Sequence, residues 1–91
     1  MPMKIFVTAE FESRYRELPS DIQKKTEKQE KLFRKNVFHP SLRTEKLEPK
    51  HQELWSFRID KKYRVLFRFI NNDSVLFLTV GTHDWIYSAL F

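Results

Sequence analysis

The hydrophobic residues change their spacing about halfway along the chain. In the first half, Phe11, Tyr15 and Leu18 recur at helical spacing and predict a short helix. A second helix is predicted after Pro19, with Ser20 as its natural N-cap. Its predicted buried stripe is Ile22, Thr26, Gln29, Leu32 and Phe33. The two segments, joined at Pro19, are therefore interpreted as a helical hairpin.

Strands are predicted on both sides of this hairpin. Residues 4–7 form a predicted first strand, and Thr8 can cap the helix that follows. After the hairpin, residues 44–48 are predicted as a short edge strand. The remaining apolar residues alternate with period two and predict an antiparallel meander of strands 54–59, 63–69 and 75–80.

The register of the meander follows from keeping its apolar side chains on one face. A three-residue loop at 60–62 achieves this when Ile59 lies opposite Tyr63. That register puts Arg58 opposite Arg64 on the other face of the sheet. Like charges directly opposite each other destabilise a sheet by up to about 1 kcal/mol. We therefore expect an anion to bind there.

The third meander strand, residues 75–80, is apolar on both faces, which is typical of a central strand. A two-residue turn of Asn and Asp before it would place Thr79 or Gly81 beside Arg64. The chain is then expected to leave the sheet at residues 81–84, next to the arginine pair. Asp84 is interpreted as the N-cap of a short final turn.

Composition narrows the class of protein. The 91 residues are 41% hydrophobic and 15% aromatic, which predicts one folded domain over residues 1–91. The sequence contains no cysteine, so a disulfide or thiolate metal site is excluded. His39 and His51 lack partners at helical spacing, and we expect no metal or cofactor. Apolar stretches are too short for a membrane span, and no secretion signal is evident, so a cytoplasmic location is expected.

The charge distribution indicates a polyanionic partner. The net charge is +5, and the sequence pI is about 9.6. Residues 46–68 contain seven lysines and arginines but only three acidic residues. A solvated basic surface is the alternative explanation.

The order of elements, with the segments 42–47, 54–59 and 63–67, resembles the RelE/ParE superfamily of bacterial toxins. The segment Leu54-Trp55-Ser56-Phe57-Arg58-Ile59 and the segment Tyr63-Arg64-Val65-Leu66-Phe67 are similar to its hallmark segments. The resemblance implies an α+β fold with a short N-terminal strand, a helical hairpin packed on one face of the sheet, and an antiparallel meander.

The end of the chain, Gly81-Thr82-His83 followed by Tyr87, is similar to the YafQ branch of this superfamily. In that branch the matching histidine serves RNA cleavage, and the aromatic lies beside the bound base. Tyr63-Arg64 is similar instead to RelE, where the matching arginine contacts phosphate.

The resemblance implies the toxin of a type II toxin-antitoxin pair, a metal-independent endoribonuclease that cuts mRNA on the ribosome and leaves a 2′,3′-cyclic phosphate. Its implied partners are a cognate antitoxin, in a possible hetero-oligomer, the ribosome and mRNA.

The side chains fit this chemistry. Arg64 and Arg58 can grip phosphoryl oxygens, and His83 can exchange a proton near neutral pH. Tyr87 offers a ring for base stacking. The expected RNA-binding residues are Lys61, Lys62, Arg68 and Lys50. The general base is left open among Lys61, Lys62, His51 and Glu53.

Two other functions are compatible with the sequence. A ParE-like protein would poison DNA gyrase without nuclease chemistry and would not require His83 beside Arg64. A decayed toxin would only bind its antitoxin. Leu54 and Ser56 stand where RelE has catalytic lysines, which favours that reading.

Overall fold

The computed structural model of the protein describes residues 3–47 and 53–90. In chain order the elements are β1 (Lys4–Val7), α1 (Ala9–Glu17), α2 (Ser20–Lys35), a 3-10 turn (Pro40–Leu42), β2 (Glu45–Lys46), β3 (Trp55–Arg58), β4 (Tyr63–Asn71), β5 (Ser74–Thr82) and α3 (His83–Leu90). This is the expected α+β architecture. Part of the predicted edge strand 44–48, together with Lys50 and His51, lies outside the described residues.

Both helices of the predicted hairpin form. The first begins at its predicted cap and the second does not. Thr8 caps α1 as predicted, because its hydroxyl oxygen accepts a hydrogen bond from the Phe11 N–H at 2.9 Å. The predicted N-cap of α2 is wrong by one residue. Pro19 occupies the cap position, and its carbonyl accepts the N–H groups of Ile22 and Gln23, so Ser20 is already helical.

The buried stripe of α2 packs on one face of the sheet, as predicted. Phe33 lies at the centre of the core, and its ring is 4.9–5.4 Å from the three strand phenylalanines Phe57, Phe67 and Phe77. Thr26 can be buried because its hydroxyl has a hydrogen-bond partner: it donates to the Ile22 carbonyl at 2.8 Å. Burial of these side chains supplies most of the driving force for folding.

The five strands have the order β1-β5-β4-β3-β2. Strand β5 has neighbours on both sides, as predicted from its apolar faces, because β1 pairs in parallel orientation with the edge that β4 leaves open. Strand β3 pairs with β4 in the predicted register, with Trp55 opposite Phe67 and Phe57 opposite Val65. The same register places Arg58 opposite Arg64.

Strands β4 and β5 are joined by a two-residue turn, so that Asn71 lies opposite Ser74. Irregularities after Leu66 and Phe69 shift the pairing by one residue and then restore it. Because the two shifts cancel, the turn at residues 72–73 places Gly81, and not Thr79, opposite Arg64. The structure thus selects one of the two predicted neighbours.

The end of the chain forms a longer helix than the expected final turn. Helix α3 spans His83–Leu90, and its cap is Thr82, whose hydroxyl accepts from the Trp85 N–H at 3.1 Å. The prediction that Asp84 caps this segment is therefore wrong. Tyr87 and Leu90 pack against a second buried cluster made of Leu47, Leu54 and Leu66. Because this cluster lies on the face opposite the main core, α3 covers part of the second face of the sheet.

None of the helices in the two described ranges is long and apolar enough to cross a membrane.

Candidate functional site

The second face of the sheet brings the two arginines of the predicted site together. Arg58 on β3 and Arg64 on β4 are directly opposite, so their Cβ atoms lie about 5 Å apart. One guanidinium nitrogen of Arg64, Nη1, donates to the carbonyls of Asp60 at 2.7 Å and Tyr63 at 3.0 Å. These bonds fix the guanidinium at the end of the strand.

Arg58 differs because one of its donors has no partner. Within the described part of the chain, the buried Arg58 Nε has no hydrogen-bond acceptor. An unsatisfied charged donor is unfavourable unless an anion reaches it. Beside it, burial and then the charge of Arg58 lower the pKa of the Arg64 guanidinium, while Tyr87, Glu45 and Asp60 act in the opposite direction. The pair is therefore short of negative charge.

A cleft of about 420 Å³ opens next to Arg64. Its lining residues are Lys61, Lys62, Arg64, Thr82, His83 and Asp84. His83 is held there by the backbone, since its N–H donates to the Lys62 carbonyl at 2.7 Å. The cleft thus combines three cationic side chains with one imidazole.

The ring of His83 has two neighbours on its own helix. Its Nδ1 atom is 3.3 Å from the carboxylate of Asp84, whose side chain is fully exposed. Its plane stacks on the ring of Tyr87, one turn further along α3, with ring centres 4.3 Å apart. Tyr87 therefore orients the imidazole, in addition to any stacking contact that its ring makes with an RNA base.

Tyr87 also connects α3 to the edge strand β2. Its hydroxyl donates to the carboxylate of Glu45 at 3.0 Å. Burial, followed by this hydrogen bond, raises the pKa of the Tyr87 phenol, although Arg64 opposes the shift. Sequence reasoning missed Glu45 because the two residues are 42 positions apart and no motif links them. The only available signal was its position on the predicted edge strand.

Close packing between α3 and β5 fixes the position of the histidine. A Cβ atom at Gly81 would lie only 2.7 Å from Cε3 of Trp85, so the indole approaches the strand where only glycine leaves room. The guanidinium of Arg14 lies 4.1 Å from the Trp85 ring centre, a cation–π contact between α1 and α3.

Asp60 organises the loop at the base of the cleft. Its carboxylate accepts the N–H groups of Lys62 and Tyr63, both at 2.8 Å, and lies 3.6 Å from Nζ of Lys25 on α2. Burial alone would raise the pKa of Asp60, but these donors and the lysine charge outweigh it and lower the pKa. The ionised carboxylate thus connects α2, the loop and the Arg64 strand.

The other residues predicted for the site are placed differently. Lys61 and Lys62 line the cleft, whereas Arg68 is exposed four residues along β4 and is opposite Leu76. Lys50 and His51 lie outside the described residues. Glu53 is 84% exposed and pairs with Lys46 at 3.6 Å. No three His, Asp or Glu side chains in residues 3–47 and 53–90 are grouped as metal ligands.

Comparison with protein families identifies the family of the chain. The sequence model of a family described as the RelE-like toxin of type II toxin-antitoxin system HigB matches residues 6–83. A comparison with curated protein sequences gives no match.

Solved structures share the fold across almost the whole chain. A YoeB/ParE toxin from Agrobacterium tumefaciens is 18% identical, with 89% of this chain and 99% of that chain covered and a TM-score of 0.74. An archaeal RelE–RelB complex from Pyrococcus horikoshii gives 14% identity, coverages of 90% and 96%, and a TM-score of 0.73. The E. coli DinJ–YafQ toxin-antitoxin complex is 10% identical, with 96% of this chain and 99% of that chain covered and a TM-score of 0.75. These likenesses show the fold.

Proposed function

The chain belongs to the RelE-like toxins of type II toxin-antitoxin systems, and on this premise we propose that it is an endoribonuclease that cuts mRNA on the ribosome. Two of the similar structures are named as toxin-antitoxin complexes, which supports a cognate antitoxin as its regulatory partner. A reaction on ribosomes would place the protein in the cytoplasm.

The observation that carries the proposal is the arginine pair beside the cleft. The two arginines are directly opposite each other on adjacent strands, and the Arg58 Nε lacks a partner among the described residues. A phosphodiester that becomes a dianionic phosphorane would satisfy both groups more strongly in the transition state than in the ground state. Such a pair therefore suits charge stabilisation during phosphoryl transfer.

The proposed reaction uses acid–base groups and needs no bound metal. A base removes the proton from a ribose 2′-hydroxyl, and the 2′-oxygen attacks the adjacent phosphorus. The bond from phosphorus to the 5′-oxygen then breaks, and an acid protonates that oxygen. The products carry a 2′,3′-cyclic phosphate and a 5′-hydroxyl. His83 is the proposed acid because it lines the same cleft as Arg64.

Glu45 is the proposed base. Its carboxylate accepts from the Tyr87 hydroxyl, and Tyr87 stacks on His83, so the acid and the base are joined through one ring. Glu45 also interacts electrostatically with Arg64. Two kinds of candidate from the sequence are weaker. Glu53 is 84% exposed and pairs with Lys46, and Lys61 and Lys62 are exposed cationic side chains in the cleft, which suit phosphate binding.

The function is tested by inducing the protein alone in bacteria and following labelled amino acid and labelled thymidine. We expect amino acid incorporation to stop first and thymidine incorporation to continue. Primer extension on ribosome-bound mRNA should show new ends, and the upstream fragment should carry the cyclic phosphate. Early loss of DNA synthesis with intact translation would instead support gyrase poisoning. Neither effect, with intact antitoxin binding, would support a decayed toxin.

A further inference from the structure

Helix α2 carries a stripe of four lysines that the cleft does not use. These residues are Lys24, Lys28, Lys31 and Lys35, and all four are exposed. Each follows a buried residue of the same helix by two positions, which is about 200° around the helix axis. The lysine stripe therefore lies opposite the buried face and extends along about 16 Å of helix.

The stripe is not neutralised within the described part of the chain. None of its four lysines has an ion pair or a side-chain hydrogen bond there. Two acidic neighbours on the same helix are directed elsewhere: Glu27 accepts from the Tyr15 hydroxyl at 2.9 Å, and Glu30 pairs with Arg34 at 3.5 Å. Like charges one turn apart destabilise a helix, so the stripe is unfavourable in the absence of a partner.

The stripe is structurally connected to the cleft. Lys25, on the flank of the stripe, pairs with Asp60, and the Asp60 carbonyl accepts from Arg64. Gln29 of the buried face donates to the Arg58 carbonyl at 2.9 Å. Since α2 packs on the face of the sheet opposite the arginine pair, one large polyanion reaches both the stripe and the cleft by wrapping around the end of the sheet at the 60–62 loop, where Lys25 meets Asp60.

We propose that the lysine stripe of α2 is a second nucleic-acid contact, which holds the phosphate backbone of folded ribosomal RNA while the cleft holds mRNA. This inference rests on the proposed function. Lysine suits such a surface because a mobile ammonium group binds phosphate as a point charge without reading sequence. Each phosphate contact releases counterions, so binding should weaken steeply with salt.

The test compares two double variants with the same net charge. Lys28→Gln/Lys31→Gln removes two charges from the middle of the stripe, and Lys4→Gln/Arg16→Gln removes two exposed charges from β1 and α1. Binding to purified 70S ribosomes is measured between 50 and 200 mM salt. For the stripe variant we expect about tenfold weaker binding at 100 mM salt and a log–log salt slope reduced by about 1–2. The control variant should behave as the parent.

Equal changes in both double variants would overturn the proposal, because they would reflect net charge and not a defined surface. A stripe variant that binds as the parent does, or a parent that does not bind ribosomes, would also overturn it. Duplex DNA at equal phosphate concentration should compete at least tenfold less well than ribosomal RNA, and equal competition would contradict the RNA assignment. Ribosome binding with the expected slopes but without mRNA cleavage would uphold the stripe and refute the nuclease function.

Discussion

The hydroxyl of Tyr87 donates a hydrogen bond to the carboxylate of Glu45, and this contact joins the C-terminal helix to the edge strand β2. The same tyrosine ring lies against His83. One side chain therefore orients an imidazole with its face and a carboxylate with its hydroxyl. The two groups proposed for proton transfer are thus held in a fixed relationship beside Arg64.

Replacing Glu45 by Gln should lower the rate of mRNA cleavage by about 10²–10⁴, the usual value of general base catalysis. Glutamine keeps the length of the side chain and an acceptor oxygen but cannot take up the 2′-hydroxyl proton. Single-turnover cleavage on programmed ribosomes measures the effect. Glu53→Gln is the matched control and should cut as the parent does. The reverse order of effects would assign the base to Glu53.

Arg64→Ala should lower cleavage by about 10²–10³, whereas Arg68→Ala should mainly weaken binding. Both arginines belong to β4, but they are four residues apart, which is about 13 Å along the strand. Only Arg64 lies beside the cleft and opposite Arg58. The comparison is made at saturating ribosome concentration. Equal losses at saturation would show that Arg64 is a binding residue and not part of the charge stabilisation.

The local part of this site could be predicted from the sequence. The parity of apolar residues around the 60–62 loop was sufficient to place Arg58 opposite Arg64, because a shift of one residue would turn the core side chains outward. The cap at Thr8 was equally local. Such features depend on neighbours only a few residues away, and their side-chain chemistry is visible in the sequence.

The long-range part could not be predicted. Glu45 reaches Tyr87 only after α3 folds over the second face, and a two-residue strand such as β2 leaves almost no pattern. The choice between Thr79 and Gly81 depended on which two residues of the segment 71–73 form the turn, and its two asparagines and one aspartate all suit turn positions. The length of helix α3 was underestimated because its N-cap, Thr82, is also the last residue of strand β5.

Gly81→Ala should destabilise the protein by about 1–3 kcal/mol, as overpacking of a close contact does. The new methyl group would meet the Trp85 ring at 2.7 Å and displace the start of α3, which carries His83. Thermal melting measures the loss, and cleavage should fall with it. The double variant Gly81→Ala/Trp85→Ala removes the collision. Its loss of stability should therefore be smaller than the sum of the two single losses. Additive losses would contradict this steric explanation.

Asp60→Asn should lower the free energy of unfolding at neutral pH by about 1–2 kcal/mol, since the ionised carboxylate accepts two backbone N–H groups and pairs with Lys25. The folded state holds the pKa of Asp60 below its unfolded value. Its contribution is therefore fully present above about pH 4 and is lost as the pH falls through the folded pKa. Denaturant titrations from pH 7 to pH 2 should show the parent and the variant converging in acid. Asp84→Asn, which removes an equal charge from a fully exposed carboxylate, is the control for the loss of charge itself.

His83→Gln should leave folding and antitoxin binding intact and lower mRNA cleavage by about 10²–10⁴. The ring is 45% exposed, and the helix start is held by its backbone N–H, which glutamine retains. Glutamine preserves approximate size and hydrogen bonding but cannot exchange a proton near neutral pH. Thermal melting, a pull-down with the antitoxin and the pH dependence of single-turnover cleavage are measured together.

His39→Gln makes the same change outside the cleft, at a ring whose Nδ1 accepts the Ser41 N–H, and should cut as the parent does. If His83 is the acid, its replacement should also remove one limb of the pH–rate profile, because that limb reports the loss of its proton. A merely structural histidine would lower the rate equally at every pH. A variant that cuts as fast as the parent would move the acid to one of the cleft lysines, Lys61 or Lys62.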